Sequence, residues 1–305
     1  MFNRFLKSGL SKRPGIFGDR RIHLHLGAHK TATTYIQRIL ATNKDTLLEN
    51  GVFYLPLAQT RAKLSKQIMG LSRKGRRSAD LVSHRQAILD ELSGKGLERC
   101  HTVLISDENL LGSPGRFKKG NVYETIPDDW KNVHTELGPN ITVSFSIRDY
   151  PGFLTSIYAE ILRRNRYFPF DMFLSLYREP PTFWSGVYQG LSTAFGAQNV
   201  TLWDYKDTVR HPDRVVAMLT GIDAPMEIIS TPVRESLSKK AIEFIRDFQK
   251  LPGKDLPPEV IAEVGKRLYP LAKHPEKFAP FGADEHAVLL AHYEAEKARL
   301  PVRKF

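Results

Sequence analysis

A chain of 305 residues, 41% hydrophobic and 26% charged, has the size and composition of a globular protein with a real core and excludes a low-complexity or disordered chain. Forty-five lysines and arginines against 33 aspartates and glutamates leave a formal charge of +12, which favours an anionic partner: a polyphosphorylated nucleotide, an acidic glycan, a membrane face or nucleic acid. A lone cysteine, Cys100, excludes an intrachain disulfide and fits a reducing compartment, and no apolar run approaches the roughly 20 residues of a membrane span.

Residues 1–20 carry scattered basic residues and no apolar run of signal-peptide length. They are expected to form a flexible basic arm, with weak peripheral membrane contact as its one surface role, ahead of a single domain over 21–305. Ile22, Leu24 and Leu26 alternate with polar residues and predict the first strand. The helix after it buries Ile36, Ile39, Leu40, Leu47 and Leu48 and ends at Asn50-Gly51. A second strand spans Val52 to Leu55. Residues 61–77 then bring seven basic side chains and no acid, a solvated face or a lid for an acidic acceptor. A helix is predicted over Asp80 to Leu92. Cys100 reads as a small buried hydrophobe before the third strand, Thr102 to Ser106, which ends at Asp107-Glu108. The fourth strand, Ile141 to Ile147, delivers Arg148, and Pro151 opens a helix to about Arg164. Val200 to Trp203 is a fifth strand. Beyond residue 207 the pattern is mostly helical, closing with Asp284 to Leu300 packed around Val288, Leu289 and Tyr293. Strands separated by helices predict an α/β chain: three layers, a mostly parallel central sheet flanked by helices, and a helical C-terminal part. In such sheets ligands lie beyond the carboxyl ends of the strands. Lys30, Asp107, Glu108 and Arg148 all fall there.

The most informative segment is Ile22-His-Leu-His-Leu-Gly-Ala-His-Lys-Thr-Ala-Thr-Thr-Tyr-Ile-Gln37: strand, tight loop, then a helix start. A helix start exposes unpaired N–H groups and the positive end of the dipole, and Lys30, Thr31, Thr33 and Thr34 add a cation and hydroxyls. Such a turn suits a phosphate or a similar oxyanion. It is not the ATP-type loop Gly-x-x-x-x-Gly-Lys-Ser/Thr, because only two residues separate Gly27 from Lys30 and no glycine precedes the lysine.

Strand, Gly27-Ala-His-Lys-Thr-Ala-Thr-Thr34, then helix resembles the sulfotransferases that use 3′-phosphoadenosine 5′-phosphosulfate (PAPS). The resemblance implies a P-loop-like sulfotransferase fold in which this loop cradles the 5′-phosphosulfate. That family reads the donor's 3′-phosphate with an arginine at a strand end and a serine eight residues on; Arg148 and Ser156 stand at that spacing. A guanidinium fork suits a phosphate dianion, and a hydroxyl from the adjoining helix adds a donor. Leu104-Ile-Ser-Asp-Glu-Asn-Leu110, Phe195-Gly-Ala-Gln-Asn-Val-Thr-Leu-Trp-Asp-Tyr205 and Glu235-Ser-Leu-Ser238 are similar to segments of the bacterial, carbohydrate-type branch. Two departures stand out. Ala32 replaces the usual glycine, which is penalised if the position needs positive φ, and Arg234 replaces a common asparagine.

The resemblance implies in-line transfer of a sulfuryl group from PAPS to an acceptor hydroxyl of a carbohydrate or glycoconjugate, with no metal required. Lys30 would neutralise charge on the leaving phosphate oxygen, while Thr31, Ala32, Thr33, Thr34, Arg148 and Ser156 hold the donor. Glu108 is the first candidate base and His29, inside the loop, the reserve. Acceptor contacts are expected from 56–80, 112–130 and 163–190. There Tyr167, Phe168, Phe170, Phe183 and Trp184 either stack on sugar rings or belong to the core. A cytoplasmic location follows, since the donor is made there and no export signal is seen.

Plainer roles stay open for each residue. Arg148 could pair with Asp149 or Glu160, Asp107-Glu108 could cap the next helix, and His23 and His25, on one strand face, suit packing or surface better than metal binding. Two other functions also stay open. One is a P-loop-like ATP-dependent kinase of a small molecule. The other is a non-catalytic anion-binding module; against nucleic acid stands the lack of an aromatic-basic RNA motif or a helix-turn-helix pattern.

Overall fold

The computed structural model describes residues 15–65, 86, 88–90, 92, 94–112, 117, 123, 130, 137–177, 183–229, 237–251 and 256–305. Its strands are β1 (Arg21–His25), β2 (Val52–Leu55), β3 (Thr102–Ser106), β4 (Ile141–Ile147), β5 (Val200–Asp204) and β6 (Val302–Arg303). They form one sheet in the order β2-β3-β1-β4-β5-β6, with every neighbouring pair parallel. A parallel pair needs a crossover, and helices supply it: α1 (Thr33–Thr42), α2 (Lys44–Glu49), α3 (Tyr150–Leu162), α4 (Phe170–Leu174), α5 (Phe183–Phe195), α6 (Tyr205–Arg210) and α7 (Pro212–Thr220). Three more, α8 (Lys239–Gln249), α9 (Pro258–Leu268) and α10 (Ala283–Lys297), make the helical C-terminal part. The chain is α/β, with a parallel sheet covered on both faces.

Coverage of both faces explains the strand composition. On one face Ile22, Leu24, Val103, Ile105, Val143 and Phe145 join a core with α3 and α5; on the other Val52, Tyr54, Leu104 and Trp203 pack with α1 and α7. Full burial of Leu24 or Leu104 contributes about 1.5–3 kcal/mol each. The second face also carries a polar seam. His25 Nδ1 meets Ser106 Oγ at 2.9 Å, His23 Nε2 meets Ser144 Oγ at 2.8 Å, and the His25 ring lies 5.7 Å from that of Trp203. The alternation in β1 is therefore not a boundary between core and solvent, and His25, 1% exposed, is a packing residue.

Desolvation pushes His25 down to about 3, helped by the neighbouring His23, and pushes His23 down to about 4. Both folded values lie below the ordinary 6.5, so on acidification the unfolded chain takes up protons first. Stability is complete above about pH 6.5 and falls as the pH drops from there toward the folded values. At pH 5, about 1.5 units below the ordinary value, His25 alone is expected to cost about 2 kcal/mol. Urea midpoints at pH 7 and pH 5 check this. The drop should be smaller in His25→Gln, and an equal drop in both proteins would remove His25 as its source.

Several bounds differ from the sequence expectations for local reasons. The helix after β1 breaks at Asn43, whose amide donates to Ile39 O at 2.8 Å and Glu227 O at 2.9 Å and accepts from Glu227 N–H at 2.8 Å. Ile16 and Phe17, at the end of the expected arm, are buried, and Arg20 donates to Phe17 O and Cys100 O, both at 3.0 Å. Residues 1–14 lie outside the described residues, as does most of the predicted 80–92 helix. In α10, Val288 is 56% exposed, so the helix does not pack there. It packs through Tyr293 and Glu296, the latter accepting from Tyr150 Oη and Ser185 N–H, while Lys297 reaches Asp204 at 2.7 Å. Among the described residues no helix is long and apolar enough to cross a membrane.

Candidate functional site

β1 lies at the point where the strand order changes direction: the chain moves outward to β2 and β3 on one side, then to β4, β5 and β6 on the other. A crevice opens beyond the carboxyl ends at such a point. The loop from Gly27 to Ala32 leaves β1 there, Asp107 and Glu108 leave β3, and Arg148 leaves β4.

Gly27 has φ +42, and a Cβ on it would sit 2.2 Å from Thr33 Oγ1, so only glycine fits. Lys30 and Ala32 both have φ +63, left-handed values that cost an L-residue about 1 kcal/mol or more. The position occupied by Ala32 does need positive φ, and alanine carries that strain at the N-cap of α1. The loop is braced from within. Thr31 Oγ1 and Thr33 Oγ1 donate to Ala28 O at 2.6 and 3.4 Å, and Ser146 Oγ donates to Thr31 O at 3.3 Å. The hydroxyl protons of Thr31 and Thr33 are thus spent on the loop itself. Among the described residues the N–H groups of Ala32, Thr33 and Thr34 and the Thr34 hydroxyl make no hydrogen bond, and they are what the helix start offers an anion.

Arg148 is seated on this loop. Its Nη1 donates to Lys30 O at 2.7 Å and its guanidinium stacks 4.7 Å from the Tyr205 ring, while its own carbonyl accepts from Trp184 Nε1 at 2.9 Å. Among the described residues Arg148 Nε is buried without a partner. Gly152 permits the close approach, since a Cβ there would be 3.1 Å from Nε. Arg148 is not the ion-pair partner of its neighbours. Asp149 caps α3 by accepting from Gly152 N–H at 2.7 Å, and Glu160 Oε2 lies 3.4 Å from Lys30 Nζ. Gly152, Ser156 and Glu160 follow at four-residue spacing and share one face of α3. The Ser156 hydroxyl makes no hydrogen bond among the described residues.

At the end of β3 the two carboxylates differ. Asp107 is fully buried, accepts from Asn109 N–H at 3.0 Å as an N-cap, and receives Arg61 Nε and Nη2 at 3.1 and 2.9 Å. Glu108 is partly exposed; Oε1 accepts from Arg61 Nη2 at 3.0 Å and Oε2 from Gln37 Nε2 at 3.2 Å. His29, on the loop itself, is near enough to this pair to feel both charges. Burial pushes its imidazole down, against the opposing pull of Glu108, Asn109 and Asp107, and Lys30 pushes it down further, so the ring is neutral near pH 7. Tyr123 Oη accepts from His29 N–H at 3.1 Å and lies 3.2 Å from Nδ1, and Nε2 faces Asn109 Oδ1 at 3.4 Å. The Nε2–H tautomer satisfies both contacts, with Nε2 donating to Asn109 Oδ1 and Nδ1 accepting from Tyr123 Oη.

No family model matches this chain, and neither does any curated protein. Solved structures do. A sulfotransferase from Alicyclobacillus acidocaldarius is 15% identical, over 70% of this chain and 87% of that one, with a TM-score of 0.42. A sulfotransferase domain from the curacin biosynthetic pathway is 12% identical, over 85% and 98%, at 0.34. A retinol dehydratase in complex with androsterone and the inactive cofactor PAP is 10% identical, over 96% and 84%, at 0.33. What the site can do is decided by its own side chains.

Of the residues expected at the site, Lys30, His29, Thr31, Ala32, Thr33, Thr34, Glu108, Arg148 and Ser156 all lie beyond the strand ends or on the first helices after them. Sequence reasoning did not single out Arg61, Tyr123, Tyr205 and Gln37, which touch them, nor Ser146 and Asn109 beside the loop. Tyr205 follows a strand end and could have been found by that rule; Arg61 is hidden in the basic run, and Tyr123 carries no signal. Trp184 is core, and Tyr167, Phe168, Phe170 and Phe183 are partly buried against it. Tyr167 and Phe170 also line a cavity of about 300 Å³ with Tyr158, Phe278, Lys239 and Arg246, to which no residue of the Gly27–Ala32 loop contributes. Arg234, Glu235, the basic run beyond Ser65 and parts of the expected acceptor segments lie outside the described residues.

Proposed function

We propose that this chain is a PAPS-dependent sulfotransferase acting on a hydroxyl, with a carbohydrate or glycoconjugate as acceptor. One observation carries the reading: Arg148 is fastened to the carbonyl of Lys30 with Nε buried and unpartnered, beside a helix start whose N–H groups are unspent. A buried donor without an acceptor costs about 1–3 kcal/mol, and a phosphate oxygen would relieve it. One cation on the loop and a second braced against the loop backbone suit a nucleotide phosphorylated at two positions. The +12 charge favours an acidic glycan among acceptors, and the free, buried Cys100 is consistent with a reducing, cytoplasmic setting.

PAPS would supply the sulfuryl group and a phosphate leaving group. The N–H groups of Ala32, Thr33 and Thr34 and the Thr34 hydroxyl would hold the 5′ end. Arg148, through Nε and Nη2, and Ser156 would hold the 3′-phosphate. Lys30 Nζ would meet the charge that grows on the oxygen leaving sulfur. As the acceptor oxygen bonds to sulfur, Glu108 would take its proton. Glu108 is preferred over His29 because each of its oxygens keeps a spare lone pair, whereas the lone pair on Nδ1 is used by Tyr123.

Calorimetry tests the reading. The product nucleotide, 3′-phosphoadenosine 5′-phosphate (PAP), should bind without magnesium and ATP with magnesium should not displace it. Tighter binding of ATP with magnesium would replace this reading with a kinase. Steeply salt-dependent binding to an anionic polymer without PAP binding would replace it with a binding module. Glu108→Gln should lower turnover by about a hundredfold or more at unchanged PAP affinity. Near-normal turnover would move the proton-accepting role to His29.

A further inference from the structure

Resting on the function proposed above, we infer that Glu160 competes with the donor nucleotide for Lys30 and so sets how tightly the nucleotide is held and how fast the product leaves. Lys30 Nζ lies 3.4 Å from Glu160 Oε2, and both side chains are largely shielded, 22% and 14% exposed. The backbone of Lys30 cannot follow its ammonium. It sits in the left-handed region at φ +63, with its carbonyl held by Arg148 Nη1. Any exchange of partners must therefore occur by rotation of the lysine side chain over a fixed base.

The exchange does not strand a charge. Arg164, four residues on and just past the end of α3, already lies 3.7 Å from Glu160 Oε1. As Lys30 turns to an oxyanion at the start of α1, Arg164 keeps the carboxylate paired. As the nucleotide leaves, Glu160 takes Lys30 back. The carboxylate is thus built into the site as a rival anion, one helical turn past Ser156 on the same face of α3. Glu160 is a positioning residue: it acts on the nucleotide through Lys30.

Opposite signs in two variants test this. Glu160→Gln should bind PAP about three- to fivefold more tightly, with dissociation slowed by the same factor. Arg164→Ala, a largely exposed site, should weaken PAP binding by a smaller factor, because a cation that competes with Lys30 for Glu160 is then gone. Both effects should vanish in a Lys30→Met background, and Glu160→Asp should restore near-native affinity. Thermal midpoints of each variant show that it is folded. If the unaltered protein binds PAP but Glu160→Gln binds it equally or more weakly, the competition is wrong and the proposed function stands. If the tightening persists without Lys30, the competition is likewise wrong. If the unaltered protein does not bind PAP at all, both fall.

Discussion

Replacing Lys30 by methionine is expected to lower kcat for sulfuryl transfer by about a hundred- to a thousandfold, the size of effect seen when a preorganised charge-stabilising group is removed. The loss should fall on kcat more than on PAP affinity. Arg148 and the helix-start N–H groups remain to bind the nucleotide, while the charge that develops on the leaving oxygen goes unmet. The variant should also fold. Methionine keeps most of the length of the side chain, and Glu160 retains Arg164 as a partner. Steady-state kinetics with a sulfuryl acceptor and calorimetry with PAP separate the two quantities. A kcat within tenfold of the unaltered enzyme would place Lys30 outside the chemistry.

Arg148→Ala should weaken PAP binding by about 10- to 100-fold, as expected for losing charge-assisted hydrogen bonds to a phosphate dianion. Arg148 also braces the loop through Lys30 O and stacks on Tyr205, so part of any loss could be structural. The comparison with adenosine 5′-phosphosulfate, which has no 3′-phosphate, isolates the recognition. Its affinity should change by much less, so the preference for the 3′-phosphorylated nucleotide should collapse. Equal losses for both ligands would make Arg148 a loop brace and no more.

β2, β3 and β4 are legible in the sequence to the residue, because each is a short apolar run bounded by turn or charged residues, and burial on both faces demands such a run. The start of α3 is legible because Pro151 suits the first helical turn, whereas the cap by Asp149 emerges only in the fold. β6 is two residues long and held by pairing with β5, so nothing local announces it. The break at Asn43 depends on Glu227, and no residue near Asn43 foretells that partner.

The site divides in the same way. The chain order alone establishes a cation and hydroxyls at a helix start after the first strand, and an arginine eight residues before a serine, because local spacing and strand ends decide where those groups emerge. Their use depends on contacts between residues more than a hundred positions apart, which the folded sheet creates. Arg148 reaches Lys30, Lys30 reaches Glu160, and Ser146 reaches Thr31. The fold also turns the hydroxyls of Thr31 and Thr33 inward, converts the histidines of β1 into a polar seam with His25 buried, and brings Arg61 over Asp107 and Glu108. Such pairings follow from which strands lie side by side, since adjacency in the sheet, not along the chain, sets which charges must neutralise one another.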